Sequence, residues 1–276
     1  MSCSALARVI AGAPDAPTLV LLHGITGSAV SQADAISHWT GLGYRVVALD
    51  ARGHGLSPRW DPGRLERAGE VLVEDALAAV EDLDTEARGR AALGLSPSGP
   101  PVLVGHSMGA ATAMVAALRR PDLVAGLVLA DPARFGTRSH DELLARGAAR
   151  ARALAAEVAD PAAAVTRALT DPEVPRAEAV AGVWAAQRVD PGLLATGVVA
   201  PEVPWEEAMR ALEVPTLLLT GDRPGAARVG PEGLALARVN PRVDTALVPG
   251  AAHDVRRSRP EGFYAAVDPW LDRVLG

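Results

Sequence analysis

Short runs of Val and Leu recur along the chain, and longer stretches of mixed apolar and polar positions separate them. Each run is bounded by Gly, Pro or Asp and has the length and composition of a strand that is buried on both faces. Parallel strands need long crossovers, which helices usually supply, so the pattern predicts a doubly wound, mostly parallel α/β sheet. The predicted strands are residues 18–22, 45–49, 102–104, 123–130, 216–220 and 243–248, and the predicted helices between and after them are residues 31–40, 69–83, 108–119, 231–238 and 260–274.

One long stretch, from Asp131 to Met209, breaks this alternation. It contains no strand pattern and is rich in Ala, Leu and Arg. Asp-Pro steps at 160–161, 171–172 and 190–191 and the Ser139/Glu142 pair are start signals for helices. We therefore predict several short helices inserted between two strands. The domain prediction is an α/β core of residues 1–131 and 211–276 with a helical cap of residues 132–210.

Composition and charge exclude several classes of protein. The chain has 276 residues, a formal net charge of -6 and one cysteine. Charges of both signs without a clustered basic face argue against nucleic-acid binding, and one cysteine excludes a disulfide framework or a cysteine-based zinc site. The sequence has no signal-peptide pattern and no apolar run of the ~18 residues that a membrane span needs. We expect a cytoplasmic protein that binds neither nucleic acid, membrane nor metal.

The motif that carries chemistry is Gly105-His106-Ser107-Met108-Gly109, which follows a predicted buried strand and precedes a predicted helix. G-x-S-x-G in this context is a nucleophile elbow, a sharp turn that exposes a strained serine above the sheet. The two glycines are expected because a Cβ at either position would collide with the neighbouring backbone. We predict Ser107 as a nucleophile.

A serine hydroxyl is too weak a nucleophile to react without a general base, which in such sites is a histidine. Of the six histidines, His253 follows the last predicted strand in a loop of small residues. Ligands of open α/β sheets bind at the carboxyl ends of the strands, where this loop must lie. We predict His253 as the base.

The base in turn needs a carboxylate that holds its tautomer and stabilises its cation. Asp222 ends the next-to-last predicted strand and is the preferred candidate, because Asp222 and His253 then follow the last two strands. Asp131 ends the strand after the nucleophile helix and is the alternative acid. Asp254 adjoins His253 in sequence, which is poor geometry for a contact with its ring.

The oxyanion that forms during acyl transfer needs preorganised hydrogen-bond donors. The amide of Met108, directly after the nucleophile, is the first expected donor, and the amide of Ile25, after the first strong strand, is the second. His23 is expected to lie in the substrate pocket beside them. The cap is expected to supply specificity, with Trp184 as a pocket residue. Its other large apolar side chains are Phe135, Trp205 and Met209.

The ordered motifs resemble those of the α/β-hydrolase superfamily. They are His23-Gly24, Asp50-Ala51-Arg52-Gly53-His54-Gly55-Leu56-Ser57, Gly105-His106-Ser107-Met108-Gly109, Gly221-Asp222 and Gly250-Ala251-Ala252-His253. More narrowly, the chain is similar to the small bacterial esterases, lactonases and cofactor-free perhydrolases, from about residue 17 onward. The resemblance implies the triad order Ser, Asp, His, an eight-stranded sheet, a helical cap and no cofactor. The chain departs from the family in having Arg223-Pro224-Gly225 after Asp222, where a second acid and a Val-Pro step are common.

These residues together predict a serine hydrolase that cleaves a small-molecule carboxylic ester or lactone through an acyl-enzyme on Ser107. The same triad also serves C–C bond hydrolysis, acyl transfer and perhydrolysis, which stay open as alternatives. A small-molecule binding protein on a hydrolase scaffold is the alternative from another class, and the complete triad disfavours it.

Overall fold

The chain forms one mostly parallel β-sheet with helices on both faces. The structure is a computed structural model and describes residues 6–133, 139–198 and 200–276. Its strands are β1 (Arg8–Ala11), β2 (Thr18–Leu22), β3 (Arg45–Leu49), β4 (Val102–His106), β5 (Gly126–Ala130), β6 (Thr216–Gly221) and β7 (Val243–Val248). All six predicted strands are present, which confirms the doubly wound α/β fold.

The strands are ordered β1-β3-β2-β4-β5-β6-β7 across the sheet. β1 runs antiparallel to β3, and every other neighbouring pair is parallel. The described residues thus form seven strands, whereas the resemblance implied eight. The additional strand that the sequence analysis did not predict is β1, a four-residue edge strand that is only half-buried and therefore lacks a long apolar run.

Twelve α-helices are found in the described residues. They are α1 (Ala33–Gly41), α2 (Pro62–Leu65), α3 (Ala68–Ala92), α4 (Met108–Arg119), α5 (His140–Glu157), α6 (Pro161–Thr170), α7 (Ala179–Gln187), α8 (Pro191–Thr196), α9 (Trp205–Ala211), α10 (Gly230–Ala237), α11 (Val255–Ser258) and α12 (Pro260–Leu275). Each of the five helices predicted between and after the strands is present. In the described part of the chain, no helix combines the length and the apolar composition that a membrane span requires.

Two apolar cores fill the two faces of the sheet, and alternate residues of each strand contribute to them. In β2, Val20 and Leu22 face α3, α4, α9 and α10, while Leu19 and Leu21 face α1 and α12. This is the period of two that a strand imposes on its side chains. Since both sets are apolar, β2 is a continuous run of buried residues, which is why its position could be predicted.

The helices from α5 to α9 lie between β5 and β6 in sequence, as predicted. Asp160 and Asp190 cap α6 and α8, and Ser139 with Glu142 forms a capping box at the start of α5. The third Asp-Pro step does not begin a helix, because the Asp171 carboxylate instead accepts a hydrogen bond from the amide of Glu173 in a turn. α5 and α8 pack against each other, whereas α9 packs against α4 and α10 beneath the sheet.

Candidate active site

Ser107 stands between the end of β4 and the start of α4. Its φ of +52° is a backbone conformation that residues other than glycine rarely adopt. A Cβ at Gly105 would lie 2.5 Å from the Cα atom of Ala110, and one at Gly109 would lie 2.1 Å from the carbonyl oxygen of Leu22. Only glycine at both positions therefore allows α4 to pack this closely on the sheet. The turn places Ser107 at the N-terminal end of α4, where the helix dipole favours negative charge.

The side chains of Ser107, His253 and Asp131 form a continuous hydrogen-bonded chain. The Ser107 hydroxyl donates to Nε2 of His253 across 2.9 Å. On the other side of the ring, Nδ1–H of His253 donates to Oδ2 of Asp131 across 2.6 Å. Nε2–H of His106 donates to the carbonyl oxygen of His253 across 3.0 Å, which holds the backbone of the loop after β7 beside the elbow. A hydroxyl, a base and a carboxylate in this order are the groups that activate a serine.

Asp131 is a buried carboxylate with a complete set of hydrogen-bond donors. Oγ1 of Thr220 and the amide of Val229 donate to Oδ1 across 2.6 and 2.9 Å, and the amide of Arg228 donates to Oδ2 across 2.8 Å. Burial by itself raises the pKa of Asp131, but the hydrogen bonds from His253, Thr220 and the two amides outweigh it and hold the pKa below its usual value. Asp131 is therefore negatively charged at neutral pH and suited to stabilise a protonated His253.

The prediction that Asp222 contacts His253 is wrong, and the alternative acid, Asp131, occupies that position. Asp222 is exposed. Its Oδ1 accepts a hydrogen bond from the amide of Gly250 across 2.6 Å and so joins the loop after β6 to the loop after β7. Among the described contacts of His253, the carboxylate is that of Asp131.

Strand order explains why Asp131 reaches the histidine. β5 lies directly beside β4, whereas β6 lies one strand further away. The register pairs His106 with Ala130, and the amide of Ser107 donates to the carbonyl oxygen of Ala130 across 3.1 Å. Ser107 and Asp131 therefore follow the paired ends of two neighbouring strands. The ring of His253 can contact both side chains from this edge of the sheet.

The two residues predicted to supply oxyanion donors, Ile25 and Met108, both lie near the serine in the chain's fold. Met108 is the first residue of α4, and Ile25 lies in the loop after β2 and lines the cavity at Ser107. Two buried side chains of the segment after β3 support that loop. Nε2–H of His54 donates to the carbonyl oxygen of Ile25 across 2.7 Å, and Oδ1 of Asp50 accepts from the amide of Ala29 across 2.7 Å. The 50–57 motif thus acts on the site through the backbone of the loop.

A cavity of about 120 Å³ opens beside Ser107 and His253. His23, which the sequence analysis places in the substrate pocket, forms part of the wall of this cavity. Nδ1–H of His23 donates to the carbonyl oxygen of Gly24 across 2.7 Å, and its Nε2 accepts from the amide of Ala51 across 3.0 Å. Both ring nitrogens are therefore engaged, so His23 shapes the cavity and has no free nitrogen to offer a ligand.

Trp184, the predicted pocket residue of the cap, is not among the described residues that line this cavity. The guanidinium of Arg188 lies 5.4 Å from the centroid of the Trp184 ring, and this cation–π contact covers the ring on the surface of the helical segment. Trp205 and Met209 belong to α9 and pack in the core on the α4 face of the sheet. Phe135 lies outside the described residues.

Charged side chains beyond the triad also line the cavity, and sequence reasoning did not identify them. They are Arg150, Asp254, Arg256 and Arg257. Nη1 of Arg256 lies 3.0 Å and Nε of Arg257 lies 2.8 Å from the carboxylate of Glu178, which is fully buried. Because Glu178 comes from the helical segment, these ion pairs join that segment to the loop that carries His253.

No group of three or more His, Cys, Asp or Glu side chains in the described ranges could hold a metal ion. The hydrogen-bonded histidine and carboxylate around Ser107 are instead engaged with each other.

Three histidines near the site, the buried His23 and His54 and the half-buried His106, should make the protein unstable in acid. Burial lowers the pKa of His23 to about 3 and that of His106 to about 4, and it also lowers the pKa of His54. Below the ~6.5 of a free imidazole, the unfolded chain binds protons that the folded chain does not, so stability falls as the pH falls. Each histidine should lower the free energy of unfolding by up to about 1.4 kcal/mol for each pH unit below this value.

Urea unfolding at pH 7, 6 and 5 measures this effect, and the free energy of unfolding should decrease at each step. In His23→Gln, the free energy of unfolding should depend less steeply on pH, because one histidine fewer takes up a proton when the chain unfolds. His140→Gln is the matched control, because His140 is exposed at the first turn of α5 and its replacement should leave this pH dependence unchanged. A free energy of unfolding that is constant between pH 7 and 5 would contradict the neutral state of the buried histidines.

The parallel sheet, the elbow and the serine–histidine–carboxylate chain define an α/β-hydrolase. The model of the family described as serine aminopeptidase, S33, matches residues 13–258. The chain belongs to this family of α/β-hydrolases.

Individual relatives agree with this assignment. The sn-1-specific diacylglycerol lipase ABHD11 of Mus musculus is 30% identical over 274 residues, covering 92% of this chain and 81% of the lipase. The 2-(acetamidomethylene)succinate hydrolase of Mesorhizobium japonicum is 28% identical, covering 93% of this chain and 88% of that enzyme. The structure of the enol-lactonase from Burkholderia xenovorans superposes with a TM-score of 0.71 at 22% identity, covering 97% of this chain and 96% of the lactonase, and shows the common fold.

Proposed function

We propose that this hydrolase cleaves carboxylic esters, lactones included, through an acyl-enzyme on Ser107. The observation that carries the proposal is the hydrogen-bonded chain from Ser107 through His253 to buried Asp131, which opens into a cavity. The diacylglycerol lipase of Mus musculus, a relative over most of the chain, supports an ester bond as the one that is cleaved. Asp131 replaces Asp222 as the acid in this proposal.

The first half of the reaction transfers the acyl group to the protein. Oγ of Ser107 attacks the ester carbonyl while Nε2 of His253 takes the hydroxyl proton, and the negative charge of Asp131 stabilises the resulting imidazolium. The amides of Ile25 and Met108 donate to the oxyanion, and the N-terminal end of α4 adds a favourable potential. The tetrahedral intermediate then breaks its bond to the leaving oxygen, which receives the proton from His253.

The second half returns Ser107 to its free form. A water molecule attacks the acyl carbonyl, and His253 takes one of its protons. Collapse of this second tetrahedral intermediate breaks the bond to Oγ of Ser107, which recovers its proton from His253. The products are one carboxylic acid and one alcohol, or a single hydroxy acid when the substrate is a lactone.

The helical segment from α5 to α8 acts in this proposal as a cap over the site. Its Arg150 contributes to the cavity lining, and its Glu178 pairs with Arg256 and Arg257 beyond His253. Leu154 and Leu193 of the segment pack with Ile25 and Met108 in a third apolar cluster, so the cap also rests on the residues that carry the oxyanion donors.

The volume of the cavity predicts a preference for short acyl chains. About 120 Å³ is somewhat less than the ~150 Å³ of an apolar cavity that binds benzene, so the cavity holds an acyl group of a few carbons and a longer chain must extend beyond it. For a series of p-nitrophenyl esters, kcat/KM should be at least about tenfold higher for the acetate and butyrate than for the decanoate, a difference of about 1.4 kcal/mol.

The same series tests the proposed function itself. An activity that rises with chain length would assign the acyl chain instead to a neighbouring cavity of about 360 Å³, which α5, α6 and α7 line and which borders the first at Thr26 and Arg257. If the wild-type protein hydrolysed no ester of the series faster than the Ser107→Ala variant, ester hydrolysis would be excluded for this class of substrate.

A further inference from the structure

Arg150 is a cation of the active-site cavity that has no acidic partner. It lies on α5 and shares the cavity lining with Ser107 and His253. The two other cations of the described lining, Arg256 and Arg257, both pair with Glu178. No described carboxylate forms an ion pair with Arg150, and the residues outside the described ranges include neither Asp nor Glu. The charge of Arg150 is therefore available to a ligand.

Two more arginines increase the positive charge around Arg150. Arg146 precedes it by one turn of α5, and Arg228 lies in the loop whose amide groups hold Asp131. Burial lowers the pKa of Arg150, and repulsion from Arg228 and Arg146 lowers it further, although the group keeps its charge at neutral pH. Arg146 and Arg150 are both exposed to solvent, yet like charges gathered at one place repel one another, and an anionic ligand would relieve this repulsion.

We propose that Arg150 binds a carboxylate of the substrate, so that the site takes esters or lactones that carry a free carboxyl group. The inference rests on the proposed ester hydrolysis at Ser107 and adds the chemical class of the substrate. A guanidinium offers two parallel N–H donors that match the two oxygens of a carboxylate, which gives orientation as well as attraction. Held in this way on the α5 side of the cavity, the acyl part of the substrate presents its ester carbonyl to Ser107.

A pair of esters of equal chain length tests this assignment. p-Nitrophenyl hemiglutarate carries a terminal carboxylate where p-nitrophenyl valerate carries a methyl group. In Arg150→Gln, the ratio of kcat/KM between hemiglutarate and valerate should fall at least tenfold, mainly through a higher KM for the hemiglutarate. Arg150→Lys should restore part of the ratio, because it returns the charge without the two parallel donors. Added NaCl should raise the wild-type KM for the hemiglutarate more than that for the valerate.

The matched control is Arg152→Gln, which removes the same charge from the same helix at a position that is exposed like Arg150 but is not among the described cavity residues. The ratio of kcat/KM between the hemiglutarate and the valerate in Arg152→Gln should equal the ratio in the wild-type protein. An equal fall for both esters in Arg150→Gln, or the same fall of the ratio in Arg152→Gln, would overturn the inference and leave ester hydrolysis intact.

A binding measurement separates this inference from the proposed function. Calorimetric titration of Ser107→Ala with glutarate should show binding that the double variant Ser107→Ala/Arg150→Gln loses by at least tenfold. If that loss is observed while the wild-type protein cleaves no ester, the carboxylate site stands and the proposed reaction fails. If Ser107→Ala binds no glutarate while the wild-type protein cleaves the valerate ester, the carboxylate site fails and the reaction stands.

Discussion

The variant Asp131→Asn should lower kcat for ester hydrolysis by about 10⁴, the size of the loss that the same change causes in the serine-protease triad. An amide in place of the Asp131 carboxylate favours the wrong tautomer of His253 and cannot stabilise its cation. It also turns an NH2 group toward donors such as Thr220 and the amide of Val229, which should cost about 1–3 kcal/mol of stability. Steady-state kinetics together with urea unfolding measures both losses.

Asp222→Asn is the matched control for this variant. Asp222 accepts a hydrogen bond from the amide of Gly250, and the side-chain oxygen of an asparagine can accept the same bond. We expect kcat within about threefold of the wild-type value and a stability change below about 1 kcal/mol. The proposed triad would be refuted if Asp222→Asn lost its activity while Asp131→Asn kept more than a tenth of the wild-type activity.

Replacement of Ser107 by alanine should have the largest effect of all, a fall in kcat of about 10⁶, as in a serine protease that loses its nucleophile. The change removes one hydroxyl and keeps the Cβ, so the turn with its φ of +52° is not altered and the fold should remain stable. A reporter ester, with the rate of spontaneous hydrolysis subtracted, measures the loss.

Labelling provides an independent readout of the same residue. A fluorophosphonate should add one adduct to the wild-type protein, on the peptide that contains Ser107, and none to Ser107→Ala. Asp131→Asn should be labelled far more slowly than the wild-type protein, because its histidine activates the hydroxyl poorly. Residual activity above about a tenth in Ser107→Ala, or an adduct on another residue, would exclude the acyl-enzyme on Ser107.

The central strands could be predicted because their environment leaves a signal in a short stretch of sequence. β2 and β5 are buried at every position and apolar at every position except Thr18, since one set of alternate residues faces the α3 and α4 side and the other faces the α1 and α12 side. β1 leaves no such signal, because it has four residues and lies half-buried at the edge of the sheet.

In the candidate site, too, residues that a local motif defines could be predicted, whereas a residue whose place depends on the order of the strands could not. Ser107 and its two glycines stand within five residues, and a turn that only glycine permits explains their spacing. The acid depends on which strand lies beside β4, and that order is a property of the whole sheet. Asp222 and Asp131 both follow strands, so the sequence pattern alone could not choose between them.

Trp184 and Arg150 illustrate a further limit of the sequence. Both lie in the helical segment, where composition favoured the large aromatic side chain as the pocket residue. Which side of a helix faces the site depends on how the segment packs on the core. This packing places Arg150 in the cavity lining, whereas the ring of Trp184 lies against the guanidinium of Arg188. The sequence of the segment alone therefore could not determine which of its side chains face the cavity.

The three residues of the proposed triad are synthesised at very different times. Ser107 and Asp131 come from adjacent strands β4 and β5, but His253, which links them, follows Asp131 by 122 residues. At a synthesis rate of ~5–20 residues per second, the base emerges on the order of ten seconds after the nucleophile. A nascent chain thus carries Ser107 without its activating partner, so the proposed ester hydrolysis should not begin until the loop after β7 has placed His253 beside Ser107.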